Sequence, residues 1–351
     1  YRILGLAVAA LRRSSRASTM FPDILYVGVK AHVVAIDKLD GAILWKTKLK
    51  SGSAGGDRFV TVLVEEGHVY AHTYGELFCL DADTGEVSMT ATDLSGVAIR
   101  LAVHEAGIEF GDLTGLAVTV GPGLVGSLLV GVSAAKGLAY SLGKPLVAVN
   151  HIEGHLYAGI LAHPHLEPPY VALVASGGHT HLYHAESPGI HRLLGCTRDD
   201  AAGEAFDKVA KTLGLPYPGG PHIEQAALSG DPRAVPLPRP ILGHGSLDFS
   251  FSGLKTAVIH YLASSPLSPQ LVADIAASFQ QAVVDVLTRN AIKAAKRVGA
   301  SRILLTGGVA CNQTLRQHLA RRANSEGLEV YWPRPELCTD NAAMIAAAGS
   351  S

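Results

Sequence analysis

The sequence predicts an α/β protein preceded by a short all-β segment, and three observations carry that expectation. From about Asp93 onward, apolar strand-like runs alternate with stretches of helical spacing, the order that builds a sheet covered by helices. Glycine-rich turns close several of those runs: Gly121-Pro122-Gly123 through Gly126, Ser176-Gly177-Gly178-His179-Thr180, and Gly307-Gly308-Val309-Ala310-Cys311-Asn312. Residues 24–89 differ in kind. They hold an internal repeat in which Tyr26 and Tyr70, Asp37 and Asp81, and Gly41 and Gly85 each stand 44 apart.

Taken in order, residues 1–19 are an unassigned leader. Its apolar run, Ile3 to Ala10, is too short to span a bilayer, and Arg12, Arg13 and Arg16 follow it rather than precede it as in a signal peptide. Residues 20–93 carry the two repeats. Each copy has short strands and an Asp-x-x-x-Gly turn, whose glycine predicts a positive φ. A period in the forties with such turns suits a propeller blade, two unrelated hairpins being the plainer alternative. Two blades cannot close a ring, so their edges would stay unpaired.

Residues 94–351 form the α/β domain. Val97–Ala106 has helical spacing and stops at Gly107. Leu116–Val120 reads as a buried strand, followed after the Gly121–Ser127 turn by a long helix through Gly137. Leu146–Val149, Tyr170–Ala175 and Arg302–Thr306 read as further strands, Asp199–Lys211 as a helix, Tyr217–Pro221 as a rigid turn and Leu271–Arg297 as a long helix.

With 351 residues, 48% hydrophobic and 17% charged, a large core is available and wholesale disorder is excluded. Lys and Arg number 29 against 30 Asp and Glu, for a net charge of -1. A nucleic-acid partner would therefore need a local basic patch or helper subunits. The four cysteines, Cys79, Cys196, Cys311 and Cys338, form no CxxC, which argues against a disulfide framework or zinc ribbon and for a reduced, cytoplasmic setting. No segment reads as transmembrane.

The chemistry-bearing residues cluster in the second domain. His151 and His155 follow an apolar strand four residues apart, so a helix starting there puts both imidazoles on one face. Such a pair is more often a surface or packing feature than a metal site. Asp340, before a small-residue helix, reads either as an N-cap or as a third ligand; two imidazoles and one carboxylate suit iron(II) or a similar divalent ion. Strands ending in Gly-Gly present bare N–H groups, and a following helix N-terminus adds a positive dipole, so the glycine turns suit a nucleotide-like ligand. Their spacing matches neither a P-loop nor GxGxxG. Asp207 is either part of a solvated helix face or an acceptor for ligand hydroxyls, and Gly220 would let a ligand approach the backbone. A zincin would need Glu beside the first His. Here Glu153 stands one place too late, which speaks against a metallopeptidase.

From about residue 97 to 348 the chain resembles the tRNA N6-adenosine threonylcarbamoyltransferase family, formerly the O-sialoglycoprotein endopeptidase family. The runs "AVTVGPGLVGSLLVG", "NHIEGH", "SGGHT", "DDAAGEAFDKVAK", "YPGGP", "DFSFSGLKT", "TGGVACN" and "CTDNAAMIA" follow the family's order. The resemblance implies an actin-like, Hsp70-like two-lobed ATPase core with the ligand between the lobes. It implies one iron(II) ion held by His151, His155 and Asp340, and threonylcarbamoyl-AMP held by Val174, Ala175, Ser176, Gly177, Gly178, Asp207, Gly220, Glu224 and Asn312. It also implies tRNA as acceptor, a paralogous partner subunit and a small ATPase. No side-chain nucleophile is implied. The family's opening motifs are absent, so the N-terminal lobe is expected to be incomplete, the domain truncated at both ends and its transfer activity weak or lost. The alternative is an inactive chimeric binding or scaffold protein on the same fold. Residues 24–89 resemble the PQQ-like quinoprotein repeat "LYALDxxTGxxxW", with Trp45 in the last place of the first copy and Met89 in the second.

Overall fold

The computed structural model describes residues 24–29, 32–37, 40–49, 61–65, 68–73, 76–81, 83–91, 102–103, 105–243, 245–263 and 268–351. The leader and most of the helix expected at 97–106 lie outside them, although the chain after that helix does turn at Gly107 with φ 63. The described residues fall into two compact units, one ending at Leu113 and the other running from Thr114 to Ser351.

The first unit contains two antiparallel sheets. β1 (Ile24–Val29), β2 (His32–Asp37) and β3 (Ile43–Lys48) form one; β4 (Thr61–Glu65), β5 (His68–Thr73), β6 (Glu76–Asp81) and β7 (Val87–Ala91) form the other. The 44-residue offset holds at atomic detail. Ala35 pairs with Trp45 and Cys79 with Met89, and a register shift follows Ala35 in one copy and Cys79 in the other. The N–H groups of Gly41 and Gly85 donate to Asp37 and Asp81 carbonyls at 3.0 and 2.9 Å, both glycines having the positive φ the turn demands. The copies share a small core of Val33, Leu49, Val69, Phe78 and Leu80 with Trp45 against it. Among the described residues these are two open sheets; no propeller is closed.

The second unit is mixed α/β. β8 (Leu116–Gly121), α1 (Val125–Leu142) and β9 (Leu146–Asn150) make a parallel βαβ unit, with Leu116 opposite Leu146. α1 ends at Gly143, left-handed at φ 61, whose N–H returns to Ala139 and Tyr140 carbonyls. α2 (His151–Ala162) follows β9 directly. Asn150 caps it, accepting from Ile152 N at 2.9 Å and Glu153 N at 3.4 Å.

The main sheet has the order β12-β11-β10-β13-β14. β10 (Tyr170–Ala175) pairs antiparallel with β11 (Thr180–Ser187), which pairs with β12 (Ile190–Cys196). On its other side β10 pairs parallel with β13 (Arg302–Thr306), which pairs with β14 (Glu329–Tyr331). Every β10 residue is buried because both faces are covered. Val171 and Leu173 enter the large core with α6 (Pro269–Val298), while Tyr170, Ala172 and Val174 pack with Ile152 and Leu156 of α2. Burial of those two α2 side chains stabilises the docking by about 1.5–3 kcal/mol each.

The remaining helices are α3 (Ala202–Thr212), α4 (Gly219–Ala227), α5 (Ser252–Ala263), α7 (Gln313–Asn324), α8 (Pro335–Cys338) and α9 (Ala342–Gly349). The rigid turn expected at Tyr217–Pro221 is corrected in its second half, because α4 begins at Gly219. Pro221 sits in the first turn of that helix, where its missing N–H is not needed. By length and apolar composition α1 and α6 could each cross a membrane, which the sequence reading did not anticipate; α6 is largely buried in the core, whereas α1 is mostly exposed.

Candidate active site

The strand-to-helix junction at Asn150 throws His151 and His155 onto one face of α2, where both are buried. Two glycines fix the depth of that helix. A Cβ on Gly154 would lie 2.7 Å from Ile345 Cδ1 of α9, and one on Gly159 would lie 2.4 Å from Leu304 Cδ2 of β13. Thr306 Oγ1 donates to the His155 carbonyl at 2.9 Å, tying the helix to the sheet.

Asp340 meets the pair from the segment before α9. Its Oδ1 lies 3.4 Å from Nε2 of each histidine, and the rings stand edge to face with centroids 4.9 Å apart. The capping reading of Asp340 is settled by its neighbour: Asn341 is the N-cap, accepting from Met344 N at 2.9 Å. Loss of the cap in Asn341→Ala is expected to cost about 1 kcal/mol, and because Asn341 Nδ2 also donates to the Leu337 and Thr339 carbonyls, the change should loosen the segment that presents Asp340. A lowered denaturation midpoint together with weaker metal retention is the check, and unchanged values of both would contradict the assignment.

The donor set fits a divalent ion. His155 Nε2 is buried and, off the line to Asp340, has no hydrogen-bond partner. With bonds of about 2.1 Å, donors 3.4 Å apart subtend roughly 108° at a common ion. The three donor atoms lie within 4.8 Å of one another. Protonation is favourable too. Burial holds the His155 imidazole below its ordinary pKa, outweighing Asp340. Burial pushes the Asp340 carboxyl up, but the hydrogen bonds and charges of the two histidines outweigh it and keep it well below the carboxylate range. Neutral imidazole and ionised carboxylate are the forms a metal binds.

His151 and Asp340 open onto a cleft of about 530 Å³ whose lining includes Ser176, Gly177, Gly178, Asp207, Gly220, Glu224 and Asn312. Seven nominated ligand contacts therefore converge on one cavity. Val174 and Ala175 do not line it; they are fully buried in β10. His155, within reach of Asp340 like His151, does not line the cleft wall. The glycine turn at Pro122-Gly123 reaches the same cleft.

Part of the cleft wall is bare backbone. A Cβ added at Gly177, Gly178, Gly220 or Gly308 would meet nothing within 4 Å, so each leaves space a ligand can fill. Among the described residues, neither Gly177 nor Gly178 N–H donates within the chain. The polar residues are held by the protein itself. Asp207 Oδ1 accepts from Gly219 N at 2.6 Å, and Glu224 Oε1 accepts from Gln313 N at 2.6 Å. Asn312 caps α7 through Leu315 N and donates to Gln280 Oε1 at 2.7 Å. Lys208, beside Asp207, pairs with Asp200 and Glu204 at 2.6 and 2.8 Å, so the solvated-face reading holds for that part of α3. Ser250 and Ser252 are structural: both hydroxyls donate to Asp199, at 2.5 and 2.7 Å. Lys255 does not line the cleft.

Two residues escaped the sequence reading. His179 lines the cleft, its ring centroid 6.4 Å from that of His151. It stands inside a run noted for its glycines, and only the fold shows which way it faces. Arg316 is buried on α7, with Nε donating to the Ala310 carbonyl and Nη2 to Pro333 O at 3.2 Å, and its guanidinium lies 5.8 Å from the Trp332 ring. It joins the 308–311 turn to the segment leading into Asp340, a role that no local pattern signals.

Burial, with His181 and the two metal-site histidines nearby, pushes the His179 imidazole down from 6.5 to about 4. The unfolded chain then binds a proton that the folded chain refuses. Its contribution is full above about pH 6.5 and is lost as pH falls towards about 4. Denaturation with a chelator present should give lower stability at about pH 5 than at about pH 7.5, a difference to which buried His155 and His181 also contribute, and His179→Asn should reduce it in part. A slope identical to wild type would refute the assignment.

A mixed α/β fold with a metal-ready donor set on a glycine-walled cleft defines a class, proteins that hold an anionic, nucleotide-sized ligand beside a divalent ion. Comparison with known proteins narrows it. The tRNA N6-adenosine threonylcarbamoyltransferase family model matches residues 93–347, and that of the outer membrane protein assembly factor BamB matches residues 6–121. The tRNA N6-adenosine threonylcarbamoyltransferase of Moorella thermoacetica is 58% identical over 249 residues, covering 70% of this chain and 73% of that one. Its counterpart from Desulfitobacterium hafniense is 55% identical over 253 residues, covering 72% and 74%. Among solved structures, full-length HypF in its phosphate- and nucleotide-bound form matches with a TM-score of 0.55 at 15% identity, over 80% of this chain and 44% of that one. HypF from T. kodakarensis gives 0.53 at 15% identity, over 80% and 46%. This chain thus spans less than half of either HypF, and the likeness is one of fold. The chain belongs to the tRNA N6-adenosine threonylcarbamoyltransferase family, and its class is transferase.

Proposed function

We propose that the cleft transfers a threonylcarbamoyl group from threonylcarbamoyl-AMP to N6 of the adenosine next to the anticodon, in tRNAs reading codons that begin with A. The observation that carries this reading is the opening of the His151–Asp340 donor set onto the same cavity as the Gly177-Gly178 turn, in a chain of this family. The N6 amine attacks the carbamoyl carbon, the bond from that carbon to the phosphate oxygen breaks, AMP leaves with the electron pair, and N6 loses a proton. The free N–H groups of Gly177 and Gly178 would hold phosphate oxygens and the charge that develops on them. Asp207 and Glu224, each with one oxygen already tied to backbone and both on the cleft wall, would orient ligand hydroxyls without swinging. His151, His155 and Asp340 would hold iron(II), which as a Lewis acid polarises a carbonyl or phosphoryl oxygen. No step needs a side-chain nucleophile.

The reading includes the actin-like two-lobed architecture and a cytoplasmic location. It also includes a partner subunit, for which α1 offers a face: Leu124, Val125, Leu129 and Val130 are each more than half exposed. Purified protein incubated with tRNA transcript, threonylcarbamoyl-AMP and iron(II) should yield modified adenosine. Binding of iron and adenylate with no transfer, even with partner subunits added, would instead select the scaffold alternative.

A further inference from the structure

α6 and α7 enclose a second groove, of about 440 Å³, that has no part in the chemistry above. Arg289, Lys293 and Lys296 line it from one face of α6, at i, i+4 and i+7, and Arg322 lines it from α7. The helix dipole favours a cation at Lys296, in the last turn, but Lys293 and Arg289 lie one and two turns earlier, beyond its reach.

These charges are only partly answered within the protein. Arg289 Nη2 and Lys293 Nζ donate to the carbonyls of Pro240 and Ser246 at 2.5 and 3.2 Å, which fixes the side chains without neutralising them. Lys296 pairs with Glu326 at 2.6 Å, and among the described residues Arg322 makes no ion pair. The groove's carboxylate, Asp285, is engaged by Arg239 at 3.0 Å and Gln281 at 2.7 Å. Thr288, also on the groove wall, is 3% exposed, and its hydroxyl has no partner. Helical threonines ordinarily satisfy that hydroxyl on the preceding turn. Three cations on one helix face, each held by the protein, with a fourth on the neighbouring helix, suit phosphate oxygens.

The groove also lies where a long anion could reach it. Asn312, on the ligand cleft, caps the helix that carries Arg322, and ten residues of helix span about 15 Å. On a chain with a net charge of -1, such a local patch is what RNA binding requires.

We propose that the α6–α7 groove binds backbone phosphates of the tRNA through Arg289, Lys293, Lys296 and Arg322, holding the RNA while its loop occupies the ligand cleft. The proposal rests on the function given above. Phosphate contacts of this kind fix position and carry no base specificity.

The test uses the full chain, a tRNA transcript and a salt titration of binding, comparing wild type with Lys293→Gln/Arg322→Gln. Loss of two phosphate contacts should flatten the slope of log K against log salt by about 2 and weaken binding on the order of 10- to 100-fold near 0.1 M salt. Affinity for threonylcarbamoyl-AMP should be unchanged, which controls for folding. Equal slopes for a wild type that modifies tRNA overturn this proposal alone. A wild type that neither binds nor modifies tRNA overturns the functional reading and this proposal with it. If inorganic phosphate protects wild type but not the variant while the RNA slopes stay equal, the groove takes a free anion and the RNA assignment is overturned.

Discussion

Asp340→Ala is expected to strip the divalent ion from the protein and to lower transfer on the order of 100- to 1000-fold. A bound ion supplies several kcal/mol of charge stabilisation, and about 1.4 kcal/mol is a factor of ten. Asp340 is the anionic donor of the set and the one 3.4 Å from both imidazole nitrogens, so its loss leaves two neutral ligands on one helix. Asp340→Asn keeps the shape but not the charge and should fall between wild type and alanine. Since Asn341 carries the cap, α9 should survive either change. Metal content after anaerobic iron loading, read beside turnover, decides the matter. A variant that retains iron and the wild-type rate would remove Asp340 from the site.

Gly307→Ala should be among the most damaging single changes to stability. Gly307 has φ 91, and a Cβ there would lie 2.4 Å from the Ala175 carbonyl oxygen in the sheet centre. With ψ at 165, this is a backbone region open essentially to glycine alone; strain of about 1–3 kcal/mol adds to overpacking of about 1–3 kcal/mol, and backbone cannot step aside as a side-chain tip can. Gly177→Ala is the contrast, because its Cβ meets nothing within 4 Å. That variant should fold with near wild-type stability yet bind adenylate more weakly, the new methyl group occupying ligand space. Thermal denaturation and adenylate titration of the pair separate the two roles. If both variants lose stability equally, the turn at Gly177 is structural and its wall of the cleft is misassigned.

The elements that sequence predicts best are those with a single possible environment. β10 and β13 are buried on both faces, so they read as unbroken apolar runs, and their observed limits, Tyr170–Ala175 and Arg302–Thr306, coincide with the expected ones. The repeat was equally legible, because Asp37 and Asp81 build the same turn twice. The α4 start was missed because Pro-Gly-Gly-Pro signals a turn and a helix N-terminus alike. At the site, His151 and His155 were visible through helical spacing, whereas Asp340 had two readings until Asn341 was seen to take the cap. Glu224 bonds to a residue 89 positions away and Arg316 to carbonyls on two separate segments. Such partners are set by the closed chain, and local pattern carries no trace of them.

The glycine contacts of α2 have a kinematic consequence. Gly154 seats the helix on α9 and Gly159 seats it on β13, each so closely that an added methyl group would have to push a neighbouring side chain aside. The helix bearing both histidines and the helix entered through Asp340 therefore touch through the Ile345 and Met344 side chains lying directly on the α2 backbone. A displacement of one helix is passed to the other, so the three donor atoms are expected to keep their mutual spacing when either moves.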